Sequence, residues 1–262
     1  MNSPAALPTL PQDRFDPRRD VTLLGVRFDR LTKAEALNAM QGTFGRGEAR
    51  RVYIVNAHTL NLSWTSPEYR AVLNQASLLL NDGSGVQIAS RMVGRPFPDN
   101  LVGTDLTPLL CGRAAAAGVS VFLLGGAPGV AERAAKSLTR MVPGLKMAGT
   151  HHGYFNPADE RGVCEQINAS GAGILLVAFG NPLQETWIHR NAERLRCDLC
   201  VGIGGLVDHL GGRLQRAPRW VRGAGIEWVH ILLQQPHKWR RYLIGNPLFL
   251  WRALRSRLGM GP

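Results

Sequence analysis

The feature that most constrains this chain is a repeated pairing of a short apolar run with a turn of glycine and small polar residues. Runs at 52–55, 77–80, 120–124, 174–179 and 199–203 are each followed by such a turn. The turns begin at Asn56, at Asn81-Asp82-Gly83-Ser84-Gly85 and at Gly125-Gly126-Ala127-Pro128-Gly129. The last two are Gly180-Asn181-Pro182-Leu183-Gln184-Glu185 and Gly204-Gly205. Runs at 22–28 and 146–149 also read as strands, and helical patterns occupy 59–75, 128–141, 158–169 and 182–195. Strands that are apolar throughout are buried on both faces, and helices must cover them. The pattern predicts an α/β fold: a Rossmann-like, mostly parallel sheet with helices on both faces. Turns after successive parallel strands open onto one carboxyl edge, where such sheets bind ligands.

Charge divides the chain in two. Of the net +12, +9 falls in residues 213–262, where ten Lys or Arg face one acid, Glu227. That segment also holds four of the six tryptophans: Trp220, Trp228, Trp239 and Trp251. Basic residues among Trp and Leu suit an anionic membrane surface, a nucleic acid or a diphosphate. The expected organisation is a leader over 1–20, a core over 21–212 and a basic helical appendage over 213–262, punctuated by Pro218, Pro236 and Pro247. The proline-rich leader has no apolar core of a signal peptide. The longest uncharged stretch, 114–131, carries four glycines and a proline and reads as helix end, strand and loop, not as a membrane span. Cys197 and Cys200 form a lone C-x-x-C without a second pair, so buried thiols in a reducing, cytosolic setting are expected.

Several residues on the strand-end turns could carry chemistry. Pro128 and Pro182 stand where a first helical residue is expected, and exposed amides at a helix start favour phosphate. The same residues also suit ordinary strand-to-helix turns, with Asn181 and Gln184 as a capping pair. Neither GGAPG nor GIGGLV has the dinucleotide spacing, and no Gly-Lys-Ser/Thr ends a P-loop, so oxidoreductase and NTPase readings lose ground. Asp82 is the leading acid: it either closes an Asx turn or takes a proton at the cleft edge. Asp105 and Asp208 are its rivals, and His151-His152 has no third metal ligand in sequence.

The runs LLLNDGSGV (78–86), VGTDL (102–106), VFLLGGAPGVAERAA (121–135), GTHHGYF (149–155) and GNPLQETWI (180–188) resemble the WecG/TagA/CpsF glycosyltransferases. VGIGGLVDHLGGRLQRAPRW (201–220), GIEW (225–228) and RRY (240–242) continue the resemblance, which spans about residues 20–245. It implies transfer of a hexose, of N-acetylmannosamine or glucose type, from a UDP-sugar to an undecaprenyl-diphosphate-linked sugar, with inversion and without a required metal or other cofactor. It implies that Asp82 is the base, that Asn56 stands beside it and that Gln184 contacts substrate. Gly125, Gly126, Asn181 and Gly205 would line the substrate site, and Arg216, Lys238, Arg240 and Arg241 would meet the diphosphate or lipid. Ile54, Asn100 and Ile231 depart from the wall teichoic acid members, where a Thr and two Arg are usual. The implied partners are the UDP-sugar, the polyprenyl-diphosphate acceptor and the anionic inner leaflet of the membrane, with no nucleic acid and with self-association left open. Trp239, Leu248, Phe249, Trp251 and the Arg residues of the last helix, 247–258, would hold the enzyme peripherally on the cytoplasmic face. An NAD-dependent oxidoreductase explains the cleft but not the tail, and a nucleic-acid-binding protein explains the tail but not the cleft.

Overall fold

The computed structural model describes residues 20–212, 215, 218, 221 and 227–257. Residues 1–19 of the expected leader, Arg216 and Trp220 therefore lie outside the described residues, while Asp20, given to the leader, opens a strand. The chain opens with a hairpin, β1 (Asp20–Leu23) and β2 (Val26–Asp29). The sequence pattern predicts one strand over 22–28. It is broken because Leu24 and Gly25 both take positive φ, 52° and 75°, the two-residue turn that matches strand twist. A left-handed leucine costs about 1–2 kcal/mol, and burial of its side chain offsets this.

Six parallel strands form the main sheet, in the order β4-β3-β8-β7-β5-β6. They are β3 (Arg50–Val55), β4 (Leu78–Asn81), β5 (Val121–Gly125), β6 (Met147–His151), β7 (Ile174–Ala178) and β8 (Leu199–Gly202). Their two-residue alternation divides the core into two layers. Tyr53, Val55, Phe122, Leu124, Leu175 and Val177 pack on one face. Val52, Ile54, Val121, Leu123, Leu176 and Val201 pack on the other. The edge of β4 is met by the hairpin, where the Asp29 carboxylate accepts the Leu79 N–H at 2.7 Å.

The helices are α1 (Lys33–Gln41), α2 (Ala57–Thr65), α3 (Pro67–Asn74), α4 (Ser84–Met92) and α5 (Gly103–Ala116). They continue with α6 (Val130–Met141), α7 (Glu160–Ala169), α8 (Leu183–Asn191) and α9 (Leu206–Leu210). The pattern expected as one helix over 59–75 is two, because extended Ser66 ends α2 and caps α3, with Pro67 at the first helical position. Stretch 114–131 holds the end of α5, then β5, then a loop, as its glycines predict. Among the described residues no helix is long and apolar enough to cross a membrane.

Beyond residue 226 come α10 (Glu227–Gln234), a 3-10 turn (Pro236–Lys238), a short π-helical stretch (Arg240–Ile244) and α11 (Gly245–Arg257). α11 packs on α2 and α4. Phe249 and Ala253 are buried in the same core layer as Tyr53 and Val55. Arg252 Nη1 donates to the backbone and side-chain oxygens of Asn61, at 3.2 and 2.9 Å, and its guanidinium lies over the Trp64 ring. Asn61 Nδ2 in turn donates to the Gly245 carbonyl at 2.7 Å. Phe249 and Arg252, expected to face lipid, instead hold α11 to the core. The reason is that α2 offers an apolar face with an uncovered amide side chain, Asn61, beside it.

Candidate active site

The carboxyl ends of β3, β4, β5, β7 and β8 meet in one cavity of about 940 Å³. Asp82 lines it just past β4, its N–H held by the Val55 carbonyl at 2.9 Å. Asn56, the cap of α2, accepts the N–H groups of His58 and Thr59 on its Oδ1. That fixes the amide, so Nδ2 faces Asp82 Oδ2 at 3.5 Å. The helix start thus aims a donor at the acid, a contact that sequence spacing did not show. Asn100 accepts the Gly83 N–H at 2.8 Å and steadies the turn carrying Asp82. Ile54, Asn100 and Ile231 all line the cavity, so the three departures from the wall teichoic acid pattern are collected at one site.

The opposite wall comes from the C-terminal segment, through Trp228, Ile231, Lys238, Arg241, Tyr242 and Asn246. Burial, and then Arg241, push the Lys238 ammonium pKa down, while Asp208 works against that shift. His58, on the first turn of α2, is pushed down to about 4 by burial and by the Arg241 and Lys238 charges. Three basic groups therefore share one partly desolvated space, a field that an anion would relieve.

The second proline-opened turn reaches the cavity through Asn181, Leu183 and Gln184. Pro182 caps α8 instead of being its first residue. Gln184 Oε1 accepts the Gly204 N–H at 3.0 Å, and Gly205 also lines the space. The first turn contributes Gly126 and Ala127 only. Gly129 is left-handed and follows Pro128, so the proline is not a first helical residue, and Val130 is packed against Gly211 of the α9 end. Phosphate on the amides at the start of α6 is therefore not what the geometry offers. Gly125 does not line the cavity either: a Cβ there would meet the Ala178 carbonyl at 2.5 Å, so glycine is needed for strand packing.

Other residues singled out in the sequence fall as follows. Asp208 lines the cavity and Asp105 does not. Arg240 is exposed on the outer side, over the Trp239 ring at 5.4 Å, away from the cavity. His151 Nδ1 lies 2.6 Å from the His152 carbonyl, and neither histidine lines the cavity. Cys197 and Cys200 are buried free thiols, Sγ to Sγ 3.3 Å. Among the described residues no three His, Cys, Asp or Glu form a metal-binding group. His58 and Tyr154 also line the cavity without having been singled out in the sequence, and Trp228 was read only as part of the basic tail. His58 has a signal in hindsight, since it follows a strand-end Asn by two residues and so falls on the helix's first turn.

Residues 21–261 match the family described as the glycosyl transferase WecG/TagA/CpsF family. The chain belongs to that family. An N-acetylglucosaminyldiphosphoundecaprenol N-acetyl-beta-D-mannosaminyltransferase of Bacillus spizizenii is 35% identical over 178 residues, covering 68% of each chain. A protein of the same description from Staphylococcus aureus strain MW2 is 30% identical over 241 residues, covering 90% of this chain and 93% of its own. Family membership gives the cleft its chemistry: the protein is a glycosyltransferase on a Rossmann-like α/β fold.

Proposed function

We propose that the protein transfers a hexose, of N-acetylmannosamine or glucose type, from a UDP-sugar to a sugar carried on undecaprenyl diphosphate. The observation that carries this reading is the division of one cavity between a held carboxylate, Asp82, and a basic wall of His58, Lys238 and Arg241. Both relatives bear names that specify a diphosphoundecaprenol acceptor. Asp82 takes the proton of the acceptor hydroxyl as that oxygen bonds to the anomeric carbon from the face opposite UDP, giving inversion. The anomeric carbon–oxygen bond to UDP breaks, and its electron pair leaves on the β-phosphate. Lys238, Arg241 and the Gly204–Gly205 turn meet that developing charge as fixed electrostatic partners. These cations take the part a divalent ion would otherwise play, so EDTA should leave turnover unchanged. Loss with EDTA that Mn²⁺ or Mg²⁺ restores would refute this.

The acceptor's lipid requires the enzyme to work at the cytoplasmic face of the inner membrane. Trp239, Leu243, Ile244, Leu248, Trp251 and Leu254 are all exposed on the C-terminal segment. Arg240 and Arg255 lie over Trp239 and Trp251, so the segment presents rings and cations together. That composition suits peripheral docking at an anionic interface. The decisive test is release of UDP from a panel of UDP-hexoses, with and without short-chain polyprenyl-diphosphate sugars. Release that needs both substrates is expected. Release independent of acceptor, or none with any pair, would overturn the reading.

A further inference from the structure

Behind the cleft lies an acid that the transfer step does not use. Glu185 is fully buried in the first turn of α8, and its own side chain does not line the cavity. Three donors converge on it. Asn181 Nδ2 and Gln184 Nε2 both reach Oε1, at 2.6 and 2.8 Å. The Tyr69 hydroxyl reaches Oε2 from α3 at 2.9 Å, and the Tyr53 hydroxyl meets the Glu185 backbone carbonyl at 3.2 Å. A buried ionisable group is expensive, so an acid kept here implies a task for which an apolar residue would not serve.

We propose that Glu185 is a positioning residue that sets which faces of the Asn181 and Gln184 amides a bound substrate meets. An amide can turn over and exchange oxygen for nitrogen at little steric cost, so its polarity must be fixed by its neighbours. Glu185 Oε1 fixes both nitrogens inward. Gln184 has also committed its oxygen to the Gly204 N–H, which leaves its second N–H as the donor for a ligand. Asn181 is left to present its carbonyl oxygen as an acceptor. The site therefore shows a donor and an acceptor side by side, the pattern that neighbouring sugar hydroxyls or an acetamido group complements. Burial raises the Glu185 carboxyl pKa. A protonated Oε2 can give its hydrogen to the Tyr69 oxygen while Oε1 still accepts both amides, so the orientation is the same in either state.

This inference rests on the transfer reading above, and its test separates the two. Glu185→Leu is compared with wild type, and again in an Asn181→Ala/Gln184→Ala background. Turnover on a soluble acceptor and UDP-hexose affinity by calorimetry are both followed. Misplacing substrate-positioning groups costs about 10²-fold, so Glu185→Leu should lose about that in turnover. In the double-alanine background its further loss should be under about threefold, because residues acting through one another are not additive. Glu185→Gln, whose carbonyl can accept both amides while its NH₂ faces Tyr69, should recover most of what Leu loses. Equal losses in both backgrounds, or a Gln variant no better than Leu, would overturn the proposal. If Glu185→Leu does not fold, Tyr69→Phe loosens the same acid from outside the cavity. It should cost a few-fold in wild type and nothing in the double-alanine background, and equal effects in both would again overturn it. If the wild-type enzyme transfers no sugar, the transfer reading fails, and the same cycle read in UDP-hexose affinity still decides the role of Glu185.

Discussion

The two walls of the cleft are built by different physics. Asp82 stands at the end of a strand whose neighbours are buried on both faces, and its partner Asn56 is clamped by two backbone N–H groups of α2. Lys238 and Arg241 stand on a stretch, 228–244, in which no described residue is fully buried. That stretch is followed by α11, which Phe249, Ala253 and Arg252 fasten to the core. The proposed base thus stands at the sheet edge, while the cations proposed to meet a diphosphate stand on a segment with little burial of its own. Opening costs least where few apolar contacts are lost. The arrangement suits a site that admits a large anionic donor and then surrounds it.

The sharpest test of this contrast is on the rigid wall. Asp82→Asn should fold with an unchanged melting temperature and lose about 10²- to 10⁴-fold in turnover, the usual worth of a positioned base. Wild-type turnover would move attention to Asp208, the other acid in the cavity. On the basic wall, Lys238→Ala with Arg241→Ala should lower turnover about 10²- to 10³-fold, as for removal of fixed groups that meet developing charge. Full activity on a soluble acceptor would show that these cations serve something other than the diphosphate.

The outer surface gives a smaller effect. Arg252 is committed to Asn61 and Trp64, so only Arg255 and Arg257 of α11 remain to meet a bilayer. At about 1 kcal/mol per cation, replacing both with Ala should weaken binding to anionic vesicles by about 30-fold at low salt, and less at high salt. Equal co-sedimentation with wild type would remove α11 from the membrane contact. Phe249→Ala is the matching control: it should cost about 3–5 kcal/mol of stability. Truncation before α11 should therefore destabilise the core as well as weaken binding to vesicles, so its vesicle result is read beside its melting temperature.

The smallest expected effect is a change in pH dependence. His58 is neutral near pH 7 because its pKa is pushed down to about 4. An anion beside it favours the charged ring, so UDP binding should take up a proton and tighten as pH falls from about 7 towards 5. Stability without ligand should run the other way. The unfolded histidine titrates near 6.5 and the folded one lower, so the unfolded chain binds the extra proton and stability declines over that range. His58→Gln should flatten both profiles by a few-fold, read by calorimetry and by melting temperature. A wild-type binding curve independent of pH would refute the assignment.

The strand ends were legible because apolar runs followed by glycine leave few other folds open. Asp82 stands on such a turn, while Asn56, Gln184, Lys238 and Arg241 were given roles through the family resemblance; all five line one cavity. The hairpin was not legible, since an apolar residue in the left-handed region, Leu24, leaves no mark in hydrophobic patterning. The break at Ser66-Pro67 was written in the sequence, but a continuous helical period ran across it. Glu185 and Arg252 escaped for a common reason: charged residues are expected outside, and only tertiary contact shows that Tyr69 and Asn61 wait for them. Lys238 and Arg240 are two residues apart, yet one lines the cavity and the other does not. Sequence cannot separate them, because the chain there leaves the α-helical period for a short π-helical stretch.

The helix α2 carries Asn56 at its cap and Asn61 one turn further on, and Asn61 grips both ends of the contact with α11. In mechanical terms, the stretch of α2 from Asn56 to Asn61 is a strut about 7.5 Å long, at 1.5 Å per residue, joining the part proposed to rest on lipid to the residue that steadies the proposed base. Under the proposed docking, the depth of α11 in the membrane and the height of the reacting oxygen above the lipid phosphates would become one variable. If α11 rests on lipid as proposed, an enzyme so braced would gauge its acceptor by altitude: a sugar next to the diphosphate would come level with Asp82, and one further out on a longer chain would overshoot it.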